Sequence, residues 1–201
     1  MMPFWRFISY LFHPLFAPLA GVVAYYLVSP EYAPPEMQRA VVLSTLILTI
    51  GIPVIFFFLF RHIGWIHSVY LHETSERKLP LYIFILLIFI MARNIIFPTL
   101  AFSLYYYFIG VLGTLIAALV LVYFKMKASM HMMGISGLTV FILGLSVHYE
   151  INITLALAGL VMSMGLVASA RLYMGAHNSS ELWTGFFVGI VPQFITFNYW
   201  L

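Results

Sequence analysis

The chain has 201 residues, of which 64% are hydrophobic and only 7% are charged. An ordinary soluble domain is about 45–50% apolar and about 25% charged, so a chain this apolar cannot cover its own surface in water and must be solvated largely by lipid. The formal net charge of +3 comes from nine basic residues spread along the whole sequence, and this distribution excludes a nucleic-acid-binding surface.

Seven apolar stretches are close to the length of about 20 residues that a membrane helix needs. In chain order they cover residues 7–28, 40–60, 81–101, 103–124, 131–149, 152–173 and 182–200. The third and fourth stretches are separated only weakly, so a turn near residues 98–103 is required unless part of this run is re-entrant. The sequence predicts an all-α integral membrane protein, a helical bundle of about seven transmembrane helices, with six as the alternative, in a single domain over residues 1–201.

Proline and glycine mark special points along these helices. Pro14 and Pro18 are expected to bend the first helix, since proline lacks the backbone donor that a helix interior uses. Small residues let membrane helices approach closely, and we expect this of the following glycines: Gly134, Gly137, Gly159 and Gly165.

The acidic residues are six glutamates, and the sequence contains neither cysteine nor aspartate. Disulfides and thiolate metal sites are therefore excluded. Hard cations such as Mg²⁺ need clustered carboxylates, so we expect no bound metal and no cofactor.

Seven crossings would sort the connections onto two sides of the membrane. Residues 61–80, 125–130 and 174–181 would share one side with the amino terminus, which we call side A, and the remaining connections and the carboxyl terminus would lie on side B. Cytoplasmic loops are enriched in lysine and arginine, and most of the basic residues lie toward side A: Arg6, Arg61, Arg77, Lys78, Lys125, Lys127 and Arg171. We therefore expect side A to face the cytoplasm of a bacterial cell, in its cytoplasmic membrane.

A first cluster of reactive side chains lies in A-S-A-R-L-Y-M-G-A-H-N-S-S-E-L, residues 168–182. Arg171 is near the end of one helix, and His177 and Glu181 are four residues apart at the start of the next, where such residues share a face. Glu181 would then hold one imidazole nitrogen and leave the other free as a nucleophile. Gly175 would permit the break between the helices.

A second cluster lies in K-M-K-A-S-M-H-M-M, residues 125–133. Ser129 is expected to cap the following helix, and a helix N-terminus is a natural seat for phosphate. Lys125 and Lys127 are adjacent in sequence, and His131 in the first turn is placed to act as a general acid.

A third segment, H-E-T-S-E-R-K-L-P at residues 72–80, adds Arg77 and Lys78 on side A. Simpler interpretations exist for several of these positions. Arginine and lysine at helix ends also serve as anchors at the membrane interface, and His131 and His177 could be polar helix ends that face water.

The first two clusters resemble the motifs of the type 2 phosphatidic-acid phosphatase family, which includes the vanadium haloperoxidases. The family motif S-R-x5-H-x3-D is similar to A-R-x5-H-x3-E in this chain, and P-S-G-H is similar to A-S-M-H at residues 128–131. The resemblance covers about residues 120–200. The family's first motif, K-x6-R-P, has no counterpart, because the positions before Pro80 hold Leu79 and His72.

The resemblance implies a phosphatase acting on a lipid phosphate or a polyprenyl diphosphate. It implies that His177 attacks phosphorus, that Glu181 orients it and that His131 protonates the leaving group. The residues expected to bind the substrate phosphate are Arg171, Ser129, Lys125, Lys127, Arg77 and Lys78. The alternative is a non-catalytic membrane protein on the same scaffold that binds or moves an anionic lipid.

Overall fold

The computed structural model describes residues 2–65, 77–96 and 101–201, and the regular elements within these ranges are all helical. Seven helices are numbered here in chain order: α1 (Met2–Val28), α2 (Pro35–His62), α3 (Lys78–Asn94), α4 (Phe102–Tyr123), α5 (Met130–His148), α6 (Thr154–Tyr173) and α7 (Ser179–Trp200). Five of them, α1, α2, α4, α5 and α6, are long and apolar enough to cross a membrane. The predicted all-α integral membrane bundle is confirmed.

Prolines interrupt the first two helices. The first helical segment of α1 ends at Leu11, a 3₁₀ turn follows over Pro14–Phe16, and the helix then continues over Ala17–Val28. The predicted bend is thus at Pro14, whereas Pro18 lies in the first turn of the second segment, where a proline is tolerated. In α2 a π-helical turn over Ile47–Gly51 comes directly before Pro53, whose ring would otherwise clash with the preceding turn.

The predicted end of the third helix at residue 101 is wrong. Helix α3 begins at Lys78, ends at Asn94 and is followed by a turn, and Ala101 lies outside any helix. Apolar character extends from the helix into the connection, and hydrophobicity alone does not separate the two. Residues 97–100, which include most of the predicted turn, lie outside the described residues.

The connections meet at the two ends of the bundle as the alternation of helices predicts. On side A the backbone N–H of Ser129, before α5, donates to the carbonyl of Glu181 in α7 at 3.0 Å. On side B the Tyr149 hydroxyl donates to the Glu31 carboxylate at 3.1 Å and lies 3.3 Å from the Ser103 hydroxyl. The sequence clusters at residues 125–133 and 168–182 therefore lie at the same end.

Helix α5 forms the centre of the bundle and packs tightly against α7. In an apolar stretch of 18 residues in α5, 61% of the residues are buried, against 11% in the corresponding stretch of α6. The two backbones are close because α7 presents glycine: a Cβ on Gly189 would lie 2.4 Å from the carbonyl oxygen of Met133. The hydroxyl of Ser136 donates across this contact to the carbonyl of Phe186 at 3.1 Å.

The expected role of glycine in helix packing is confirmed in α5 and wrong in α6. A Cβ on Gly134 would lie 3.3 Å from Ala17, and one on Gly137 would lie 3.1 Å from the carbonyl oxygen of Gly189. At Gly159 and Gly165 no atom in the described part of the chain lies within 4 Å of the added carbon. These two glycines face outward on α6, the least buried of the five apolar spans.

We expect Gly189→Ala to destabilise the protein by about 1–3 kcal/mol, the usual cost of overpacking a tight interior. The added methyl would meet backbone atoms of α5, which cannot move aside as a flexible side chain can. Thermal unfolding in detergent measures the effect as a lower midpoint.

Gly159→Ala is the matched control, because the same methyl enters open space on α6. Its midpoint is expected to be unchanged or slightly higher, since alanine favours the helix over glycine. An equal decrease of the unfolding midpoint in both variants would contradict the close packing of α5 and α7.

Candidate functional site

The connection between α6 and α7 fixes three of the predicted site residues relative to one another. Gly175 has a φ of +62°, a conformation that glycine adopts without strain. The N–H of His177 turns back to the carbonyl of Arg171 at 3.4 Å. Asn178 then caps α7, and its side-chain oxygen accepts from the N–H of Glu181 at 2.9 Å. The predicted break at Gly175 is confirmed.

His177 and Glu181 form a hydrogen-bonded pair in the first turn of α7. Nδ1 of His177 donates to Oε2 of Glu181 at 2.7 Å, and the two side chains are 5% and 18% exposed. A carboxylate can only accept here, so the proton of the neutral imidazole is on Nδ1 and the lone pair is on Nε2. His177 and Glu181, which were predicted to share a face, are thus in direct contact.

Burial and two neighbouring side chains set the protonation of His177. Burial lowers its pKa below the usual value, the hydrogen bond to Glu181 opposes that effect, and the charge of Arg171 lowers the pKa further. The ring is therefore neutral near pH 7, with Nε2 unprotonated and nucleophilic.

Arg77 reaches this pair from the start of α3. Its side chain is half-buried, and burial lowers its pKa while the charge of Glu181 raises it. Its charge also acts on His177. Lys78 is turned toward α4 instead, with Nζ 4.4 Å from the centre of the Tyr123 ring.

His131 lies in the first turn of α5, within electrostatic reach of Arg171 and His177. Its Nε2 is 3.1 Å from the carbonyl oxygen of Ser9 in α1, and its ring packs edge-on against that of His13 with the centroids 5.4 Å apart. Because a carbonyl oxygen can only accept, the hydrogen bond to Ser9 requires a proton on Nε2.

Arg171 is held by the same serine. Its Nη1 donates to the Ser9 hydroxyl at 3.3 Å, and this hydroxyl donates in turn to the sulfur of Met174 at 3.6 Å. Ser9 and His13 were not singled out in the sequence analysis. The available signal was their spacing of four residues, which puts two polar side chains on one face of an apolar helix.

The remaining predicted ligands are either engaged in the fold or exposed. Ser129 caps α5 as predicted: its hydroxyl accepts from the N–H of Met132 at 3.4 Å, and the residue is fully buried. Lys125 and Lys127 lie in the connection between α4 and α5 with exposed side chains. Residues 72–76 of the third segment lie outside the described residues.

The residues that converge on side A carry chemistry suited to an anion. His177 is hydrogen-bonded to Glu181 and lies within electrostatic reach of three other side chains of this cluster: Arg77, Arg171 and His131. In residues 2–65, 77–96 and 101–201, no group of three or more metal-ligating side chains is placed to hold a metal ion. The cluster thus combines an oriented nucleophilic imidazole with cationic donors for an oxyanion.

We expect NMR titration of the His177 ring to give a pKa below the usual histidine value of about 6.5. Glu181→Gln removes the group that favours the imidazolium, so it should move the pKa further down. Arg171→Gln removes a like charge and should move it up. An upward shift in Glu181→Gln would contradict the pairing of His177 with Glu181.

Comparison of the chain with protein-family models gives no match, and comparisons with curated proteins and with solved structures give none either.

Proposed function

We propose that the protein is a membrane lipid-phosphate phosphatase in which His177 is the nucleophile. The observation that carries the proposal is the buried hydrogen bond of 2.7 Å between Nδ1 of His177 and Glu181. It leaves Nε2 unprotonated beside the charges of Arg77 and Arg171. A neutral, oriented imidazole next to cationic donors is what in-line attack on a phosphoryl group requires.

The reaction would proceed in two steps. Nε2 of His177 attacks phosphorus, and the bond from phosphorus to the leaving oxygen breaks. The negative charge of the bound phosphate favours the imidazolium form of His131, which donates its Nδ1 proton to that oxygen and keeps the proton on Nε2. Water then attacks the phosphohistidine, His131 takes a proton from the water, and the phosphorus–nitrogen bond breaks to release inorganic phosphate. Arg77 and Arg171 would neutralise the equatorial oxygens, which carry the charge in the transition state.

The substrate would be a lipid phosphate held at the side A surface. The cluster joins the ends of helices whose outer faces are apolar, as in α6. A headgroup in the cluster would therefore leave its tail beside the hydrocarbon. Polyprenyl diphosphate, phosphatidic acid and phosphatidylglycerol phosphate all fit this description.

A non-catalytic protein that binds or moves an anionic lipid is the second candidate. The observation that favours it is the use of Ser129 by the fold, since its hydroxyl accepts from Met132 and its N–H donates to Glu181. A phosphate bound at the start of α5 would thus lack two backbone donors, the N–H groups of Ser129 and Met132. The absence of a counterpart to the family's first motif also favours a non-catalytic protein.

We expect the purified protein to release phosphate from at least one lipid phosphate in a panel, with chelator present throughout. His177→Ala should reduce the rate by on the order of 10³-fold or more, because it removes the nucleophile. The measurement is inorganic phosphate formed over time.

His148→Ala is the matched control, since His148 is an exposed histidine at the side B end of α5. Its rate should equal that of the wild type. Absence of release from every lipid, together with retained lipid binding, would favour the second candidate. Equal rates for His177→Ala and the wild type would contradict the mechanism.

We propose that the protein lies in a bacterial cytoplasmic membrane with side A in the cytoplasm, because most of its lysine and arginine residues lie toward that side. Seven crossings then put the carboxyl terminus outside the cell. A reporter that is active only outside the cytoplasm, fused after Leu201, should be active. Activity of a cytoplasmic reporter at the same point would contradict either the orientation or the number of crossings.

A further inference from the structure

The bend in α1 releases a backbone carbonyl beside the site. In a continuous helix the carbonyl of Ser9 would accept from the N–H of His13. Because the helical segment ends at Leu11, the N–H of His13 donates to Tyr10 instead, at 3.2 Å. The carbonyl of Ser9 is then available to a side chain, and Nε2 of His131 lies 3.1 Å from it.

The hydroxyl of Ser9 contacts α6, whereas its carbonyl contacts His131 in α5. It accepts from Nη1 of Arg171 at 3.3 Å and donates to the sulfur of Met174 at 3.6 Å. Ser9 is 6% exposed, so these contacts are shielded from water and are stronger than surface contacts. One residue of α1 thus touches the histidine of α5 and the arginine of α6 at the same time.

We propose that Ser9 is a positioning residue for the site. Its carbonyl holds the proton of His131 on Nε2, so that Nδ1 is the atom that exchanges protons with the ligand. Its hydroxyl holds the guanidinium of Arg171 in place for an anion. This role rests on the proposed function, and it makes α1 the fifth helix of a site otherwise built from α3, α5, α6 and α7.

The edge-on contact with His13 is a separate interaction. Nδ1 of His13 accepts from the N–H of Leu15 at 3.4 Å, and its ring meets His131 by packing, with an interplanar angle of 77°. Among the residues that the structure describes, the titratable or charged side chains that act on His131 are those of His13, Arg171 and His177. The hydrogen bond to Ser9 selects the tautomer, because it is directed at one ring nitrogen.

The carbonyl contact is tested by NMR of the full-length protein with ¹⁵N-labelled histidine in detergent. The ring signals of His131 are identified by their loss in His131→Gln. We expect the neutral ring to carry its proton on Nε2, in the wild type and equally in His13→Phe, which keeps an aromatic ring beside it. A proton on Nδ1 of neutral His131 would overturn the proposal.

The hydroxyl contact is tested by the affinity for inorganic phosphate, measured by ³¹P NMR line broadening. Ser9→Ala should bind phosphate about 10-fold more weakly or worse, the effect of losing one hydrogen bond to a charged group. The tautomer of His131 should not change, since the variant keeps the carbonyl. Ser163→Ala is the matched control, because the Ser163 hydroxyl bonds within α6 to Gly159.

The outcomes separate the two proposals. Equal phosphate affinity in Ser9→Ala and the wild type would overturn the role of the hydroxyl. A purely structural role would lower the unfolding temperature and leave the phosphate affinity of the folded protein unchanged, which also counts against positioning. If the wild type binds no phosphate and hydrolyses no lipid phosphate, the proposed function fails, while the tautomer of His131 still decides the role of the Ser9 carbonyl.

Discussion

The contact between the start of α5 and the first turn of α7 joins the two halves of the site. The N–H of Ser129 donates to the carbonyl of Glu181 at 3.0 Å, and a Cβ on Gly185 would lie 2.5 Å from the carbonyl oxygen of Ser129. The backbones can approach this closely only because α7 carries glycine at that level. This contact brings His131, in the first turn of α5, to the same end of the bundle as the pair of His177 and Glu181.

The charges of the site follow from burial and from the composition of the chain. Burying a charge is costly unless it is paired, and Glu181 pairs with His177 while facing Arg77. Arg171 adds a second guanidinium, so the cluster carries more positive than negative charge. These guanidinium and imidazole groups can donate hydrogen bonds to an oxyanion, which is the physical reason for preferring a phosphate over a cation as the ligand.

The two ends of the bundle use polar side chains differently. On side B the Glu31 carboxylate accepts from two neutral hydroxyls, Tyr25 at 2.9 Å and Tyr149 at 3.1 Å. Those hydrogen bonds tie the end of α1 to the end of α5. On side A the carboxylate of Glu181 accepts from an imidazole that has a second, reactive nitrogen. The proposed reaction would therefore take place at side A, and the side B cluster holds the helix ends together.

The sequence by itself determined the membrane class and several local features of the site. Composition required lipid as the solvent, spacing of four residues predicted the pair of His177 and Glu181, and proline, glycine and serine predicted the bend, the break and the helix cap at Pro14, Gly175 and Ser129. These features depend on neighbours within one or two turns, and local spacing describes such neighbours well.

Only the tertiary structure decided which distant residues share the site. Ser9 contacts residues more than 100 positions away in the chain, and the position of Arg77 beside Glu181 depends on how α3 packs. The structure also put Gly159 and Gly165 on an open face, where the sequence predicted packing. Helical periodicity predicts which residues of one helix share a face. Which other helix contacts that face depends on the packing of the whole bundle.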